Sequence, residues 1–197
     1  MHSKYAAIQQ TTLNKPTPII RPSADYITEI TEDSPAAKVM TNLKQVIPAT
    51  TRATTPLKKA NQQMIERAVR MLFVIDNNQQ LKGIITSIDI LGEKPIKHMQ
   101  RVGCQRDDIN VEDVMTPIDK IQVLDLSDVE YAKTGNILET LKRSGRHHIL
   151  IAEHQPNGQQ AICGIFSLSH ISRLMNKQVD VVEIASTFAE VESALHH

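Results

Sequence analysis

The sequence is poor in aromatics, glycine and cysteine, and it carries no excess of either charge. Six aromatic side chains (Tyr5, Tyr26, Tyr131, Phe73, Phe166, Phe188) and no tryptophan stand among 197 residues. That is too few for a platform on which nucleic-acid bases stack. Lys and Arg total 22, as do Asp and Glu. Without a basic surplus, neither nucleic acid nor an anionic membrane surface is expected as the main partner. The 7 glycines lie apart, so there is no G-x-G-x-x-G turn and no Walker A loop. Cys104 and Cys163 are the only cysteines, which excludes a disulfide framework and suits a reducing compartment. No apolar run reaches membrane-spanning length, and the opening stretch MHSKYAAIQQTTLNK lacks a signal-peptide core. A cytoplasmic protein of one or two compact domains is expected.

Along the chain, residues 1–33 are polar and punctuated by Pro16, Pro18 and Pro22. They read as an extended arm with one short strand at Pro18-Ile19-Ile20. Ser34-Pro35 is a helix-start signal, Ser as N-cap and Pro at the first helical position, for a short helix over Ala36–Thr41. Val46–Thr50 reads as a strand. Thr55-Pro56 repeats the start signal for a longer helix, with Leu57, Ala60, Met64 and Ala68 on one stripe. Met71–Ile75 is a continuous apolar run, as in a strand buried on both faces. Leu81–Thr86 is the next strand, and a helix begins at Thr86-Ser87 and continues until Gly92 and Pro95 interrupt it.

The same order then recurs. Val39-Met40-Thr41 returns as Val114-Met115-Thr116, and Gly83-Ile84-Ile85-Thr86 answers to Gly164-Ile165-Phe166-Ser167. Gln122–Leu126, His148–Ala152 and Ala161–Ser167 read as strands and Asn136–Ser144 as a helix. From Met to Gly is 43 positions in the first copy and 49 in the second. The extra residues are expected near Asp128–Gly135 and in the Glu153–Gln160 turn. An internal repeat outweighs any single motif in assigning architecture. The expected fold is α/β, two copies related by a pseudo-twofold axis, each covering the other's exposed sheet face. The expected organisation is an arm over 1–33, repeats over 34–105 and 106–177, and a C-terminal amphipathic helix over 178–197.

A doubled βαββα unit with V-M-T before each copy and G-h-x-[ST] at its last strand resembles a pair of cystathionine β-synthase (CBS) domains, a Bateman module, across about residues 34–177. The resemblance implies a regulatory protein and not an enzyme. It also implies an adenosyl compound (AMP, ADP, ATP or S-adenosylmethionine) in a cleft between the copies, with magnesium only where it accompanies ATP. No catalytic cofactor and no metal site are expected. Read from the residues alone, Thr86-Ser87-Ile88-Asp89 fits a capping box, Thr86 as N-cap and Asp89 as N3. The first N–H groups of such a helix suit an anion, and a carboxylate beside them can accept both hydroxyls of a ribose. The family pattern G-x-x-[ST]-x-x-D falls on Gly83, Thr86 and Asp89, and implies Asp on the ribose and the hydroxyl on phosphate.

The second copy has Gly164 and Ser167 but His170 in place of the aspartate. Neutral imidazole offers one acceptor and cannot hold a diol as a carboxylate does. One nucleotide per chain is expected, with the second site empty, weaker or differently selective. The resemblance also places phosphate-facing residues just before the third element of each copy, here Arg70 and Arg146-His147-His148. If the strand has begun, His147 and His148 alternate and at most one faces the cleft. Arg70 is always charged and forks onto phosphate. Lys142 and Arg143 read as a solvated helix end. By family analogy Ile47, Pro48 and Thr50 supply the adenine pocket, while Met71 and Phe73 read as core.

In the tail, Val181, Ile184, Phe188, Val191 and Leu195 form an a/d seam over two heptads. Two heptads need a larger surface to dock on, either a second subunit or the chain's own module. Phe188, an apolar liability if exposed, favours a homodimer through the repeat helices and this helix. Two functions compete. One is a stand-alone nucleotide sensor whose geometry an effector protein reads. The other is a structural or adaptor homodimer whose nucleotide site has decayed. No triad, carboxylate pair or metal set is spaced for catalysis.

Overall fold

The two helix-start signals behave differently, because the segments after them find different partners. In the computed structural model of the chain, residues 29–177 are described, with positions 9, 10, 12 and 16–19 before them. Pro35 caps a single 3-10 turn, Ala36–Val39, and the chain then extends into strand β1, Thr41–Asn42. The helix expected to reach Thr41 is cut short because a sheet takes up its last residues. Helix α1 runs Leu57–Glu66 after Pro56, and Leu57, Ala60 and Met64 are buried at the expected spacing. Ala68 does not continue that stripe. It lies past the helix end with φ of 51° and is exposed. The strand expected over Val46–Thr50 contracts to β2, Thr50–Thr51, the only stretch there that pairs with a neighbour.

Beyond α1 come β3 (Met71–Ile75), β4 (Leu81–Thr86), α2 (Ser87–Leu91), α3 (Glu93–Val102), α4 (Val111–Val114) and β5 (Thr116–Pro117). The second half adds β6 (Val123–Asp125), α5 (Leu126–Tyr131), α6 (Thr134–Ser144), β7 (His148–His154), β8 (Gln160–Ser167) and α7 (Leu168–Leu174). The strands form two four-stranded sheets, ordered β2-β3-β4-β5 and β1-β8-β7-β6. Each sheet borrows an outer strand from the other half of the chain. Thr41 pairs with Ile165 and Asn42 with Gly164, while Thr116 pairs with Ile84 and Pro117 with Gly83.

The packing obeys the same exchange. Ala36 and Val39 are buried with Ile137, Leu141, Ile151 and Phe166 of the second half. Ile109, Val111 and Val114 are buried with Leu57, Leu72 and Ile85 of the first. The division at 105/106 is therefore a division in sequence and not in packing. A third cluster, Met71, Phe73, Ile84 and Leu150, lies between the sheets. Alternation along the strands explains this. Leu72 and Val74 face helices while Met71 and Phe73 face the opposite sheet, so β3 reads as an unbroken apolar run.

The second copy is longer near Asp128, as expected, but the turn over 155–159 is no longer than that over 76–80, and the extra length there lies in the strands. The added residues around Asp128 form a helix of their own, α5. In addition, β7 and β8 have 7 and 8 residues against 5 and 6 in β3 and β4. Gly92 separates α2 from α3, but Pro95 sits in the first turn of α3, where proline needs no N–H donor, and ends nothing. Pro18 and Ile19 lie in no strand, and Ile20 and the expected helix over 178–197 fall outside the described residues. Among the described residues no helix is long and apolar enough to cross a membrane.

Candidate functional site

Two helix ends deliver the cleft's cationic side chains. Helix α1 closes with Val69 N–H donating to Met64 O (2.9 Å) around left-handed Ala68. Helix α6 closes with Arg146 N–H donating to Leu141 O (3.2 Å) around left-handed Gly145, φ 62°. Both are six-to-one closures of the Schellman type. The chain leaves each closure in the same way, so Arg70 and His147 occupy matching places. Their carbonyls accept from matching donors, Ser87 N–H onto Arg70 O (2.9 Å) and Leu168 N–H onto His147 O (3.0 Å).

At the start of α2 the capping box is complete. Thr86 Oγ1 accepts from Asp89 N–H (3.2 Å), and Asp89 Oδ2 accepts from both the N–H and the hydroxyl of Thr86 (2.7 Å each). The other carboxylate oxygen, Oδ1, meets the ammonium of Lys94 at 2.6 Å. Asp89 is thus buried and fully engaged. The helix start is not the open set of donors the sequence suggests, since the N–H groups of Ser87 and Asp89 already have internal acceptors. Lys94, which sequence reasoning did not single out, comes from the first turn of α3 and also donates to Val114 O at 3.1 Å.

Thr86, Ser87 and Asp89 line one cavity of about 300 Å³ together with Arg70, Arg146, His147 and His148. Ile84, Ile88, Thr116 and Gly145 complete the lining. The volume is at the small end for a ligand pocket. Both histidines line it. His147 precedes the strand, which begins at His148, so the alternation rule does not yet apply. Arg70 and Arg146 have no carboxylate within 4 Å among the described residues. His148 Nδ1 is buried with no hydrogen-bond partner among the described residues. Burial, reinforced by the positive charge of His147 and Arg70 and only partly opposed by Asp89, pushes the His148 imidazole down to about 4. At neutral pH it is uncharged, while Arg70 and Arg146 bring two guanidinium groups to the cavity.

The remaining candidates lie elsewhere. Gly83 sits in β4 opposite Pro117, where an added Cβ would be 2.5 Å from Thr116 O. It serves the exchanged strand and does not line the cavity. Pro48 and Thr50 line a separate cleft of about 640 Å³ with Phe73 and Ile121, and Ile47 is 90% exposed. Ser167 stands at the N-cap of α7 with no side-chain capping bond to the helix N–H groups, and its hydroxyl meets Ser169 Oγ at 3.1 Å instead. His170 Nδ1 meets Arg173 at 2.9 Å, and burial together with that guanidinium lowers its pKa. Thr116 is the lining residue hardest to foresee, because it arrives on an exchanged strand. Among the described residues, no cluster of His, Cys, Asp or Glu could hold a metal ion.

These features define a paired α/β module with one polar cleft where the two sheets' first long strands begin. The first repeat matches the CBS domain family over residues 36–95. A solved structure of an uncharacterized conserved protein from Pyrococcus horikoshii is similar, at 24% identity and a TM-score of 0.53. That match covers 77% of this chain and 98% of that one. CBSX2 in complex with AMP is similar at 19% identity, covering 71% and 94%, with a TM-score of 0.49. No curated protein shows a significant match.

Proposed function

We propose that the protein is a regulatory CBS pair that binds an adenosyl nucleotide of the AMP, ADP or ATP class in the Asp89 cavity, and that it performs no catalysis. The observation that carries this reading is His148 Nδ1, a buried ring nitrogen without a partner among the described residues, in a cavity that also holds Asp89 and two guanidinium groups with no carboxylate within 4 Å among those residues. A buried polar atom left unpaired costs about 1–3 kcal/mol, and a ligand's polar edge relieves that cost. Arg70 and Arg146 suit phosphate, and Asp89 suits a ribose diol once Lys94 releases it.

Two chains then pair through α1 and α2, which pack side by side. Ile65 on α1 and Ile88 and Leu91 on α2 leave 64%, 55% and 67% of their surfaces exposed. Ile88 also lines the cavity, so a ligand there bears on the pairing face that an effector protein reads. A ligand biases such geometry only by its difference in affinity between arrangements.

The deciding experiment is thermal melting with AMP, ADP, ATP, NAD and S-adenosylmethionine, on the wild type and on Asp89→Asn. Asparagine keeps an acceptor for the helix cap but loses the charge. At about one hundred times its dissociation constant a ligand adds about 2.7 kcal/mol of stability. The expected result is a rise with an adenine nucleotide that shrinks in the variant. No rise with any of the five places the protein with the adaptor reading, which His170 and the uncapped α7 already favour for the second copy.

A further inference from the structure

A second cavity, of about 440 Å³, lies between α3 and the segment that enters the second half of the chain. Lys94, Lys97, His98 and Arg101 line it from α3, at spacings of three, one and three that place them on one helix face. Lys120 lines the opposite wall. Asp113 is the only carboxylate in the lining, and it is already committed. Its Oδ2 accepts from Asn110 N–H at 2.8 Å, and its Oδ1 lies 3.6 Å from His98 Nε2.

Arg101 and Lys120 have no carboxylate within 4 Å among the described residues. Lys97 pairs with Glu93, but both are largely exposed, and such pairs are weak. Lys97, Arg101 and Lys120 therefore stand around one spoken-for acid, with Lys94 beside them holding its ammonium 2.6 Å from Asp89, on a chain whose formal charge is zero. A cavity lined by one sign of charge concentrates the opposite sign. Its size suits a compact ligand rather than a protein surface. Guanidinium and ammonium groups lining one cavity favour phosphate oxygens.

We propose that this cavity is a second ligand site, taking a compact polyanion with two or more linked phosphate groups. It is separate from the nucleotide site at Asp89. Asp89 does not line it, and Lys94 stands at the boundary, its ammonium on Asp89.

The test is calorimetric titration of the whole protein with sodium tripolyphosphate. The comparison variants are the double Arg101→Glu, Lys120→Glu, and Lys142→Glu on the exposed side of α6. Both altered cavity residues are exposed, so the double variant keeps its fold, which circular dichroism checks. The wild type is expected to bind one ion per chain saturably, and the double variant about tenfold or more weakly, as the loss of one or two charge-assisted contacts implies. Lys142→Glu is expected to bind as the wild type does.

Absence of saturable binding overturns the proposal. So does equal weakening by Lys142→Glu, which signals diffuse attraction only, or loss in Arg70→Ala with the double variant unchanged, which moves the ion to the Asp89 cavity. ATP weakened by the double variant while AMP is not identifies the polyanion as a nucleotide's phosphate tail. Tripolyphosphate weakened alone identifies a free polyphosphate. The AMP melting shift reads the Asp89 cavity by itself, so failure of one proposal does not imply failure of the other.

Discussion

Gly83 and Thr116 pack backbone against backbone: a Cβ on Gly83 would fall 2.5 Å from the Thr116 carbonyl oxygen and 3.1 Å from Met115 Sδ. In the second copy a Cβ on Gly164 would fall 2.8 Å from Met40 Sδ and 2.9 Å from Ile151 Cδ1. The two motifs that mark the repeat are thus halves of one contact, each Val-Met-Thr seated on the other copy's glycine. The obstacles differ in kind. Backbone blocks Gly83, whereas flexible side-chain ends block Gly164. Gly83→Ala is expected to cost about 2–3 kcal/mol and Gly164→Ala about 1 kcal/mol, within the range for overpacking. Urea unfolding of both variants checks this, and equal losses would show that β5 shifts as easily as Met40 does.

The ion pair between Lys94 and Asp89 makes a different prediction, because the lysine holds the oxygen a ribose would use. Lys94→Met frees that oxygen without adding bulk. Adenosine, which has no phosphate to miss the lost cation, is expected to bind about three- to tenfold more tightly, a gain of about 1 kcal/mol. Titration of both proteins measures it, and unchanged or weaker binding would mean that Lys94 assists the ligand and does not compete with it.

Much of this is legible in the sequence, and the rest is hidden for identifiable reasons. The Met71–Ile75 run, the Thr86–Asp89 box and the doubled order depend on near neighbours in the chain, and they stand where local patterns put them. The exchange of β1 and β5 depends on register between distant segments, which no local period reports. Thr116 in the cavity and Lys94 on Asp89 result from that exchange and from the break at Gly92. Ile47 departs from its expected place because an apolar residue beside a short strand need not itself find a partner.

Helix ends offer a stability test that needs no ligand. Ala68 and Gly145 both stand left-handed at the residue that closes a helix, with φ of 51° and 62°. Glycine adopts that region freely and alanine does so at a cost of about 1–2 kcal/mol. Ala68→Gly is therefore expected to stabilise the protein by about 1 kcal/mol, and Gly145→Ala to destabilise it by a similar amount. Paired denaturation curves decide it. A loss on Ala68→Gly would mean that the methyl group makes a contact outweighing its backbone strain.

Pairing of chains is expected to respond to one side chain. Leu91 ends α2, exposes two thirds of its surface and lies on the same short helix as exposed Ile88. Leu91→Glu introduces a charge that buried apolar contact cannot accommodate. Light scattering is expected to show a dimer for the wild type and a monomer for the variant, with the melting profile retained. A wild-type monomer, or a variant that still pairs, would place any assembly on another face.

His148 predicts how stability depends on pH. Its folded-state pKa, about 4, lies below the unfolded value near 6.5 because burial and the positive His147 and Arg70 disfavour the imidazolium. The unfolded chain therefore binds more protons between those values, and stability rises with pH across the window. The contribution is complete above about pH 6.5 and is lost as pH falls toward 4. At 1.36 kcal/mol per unit, the difference is up to about 3 kcal/mol. His148→Leu removes the titrating group, so its stability is expected to fall less steeply than the wild type's between pH 6.5 and 4. Urea midpoints measured at half-unit steps of pH test this. Parallel curves for the two proteins would show that another group carries the acid sensitivity.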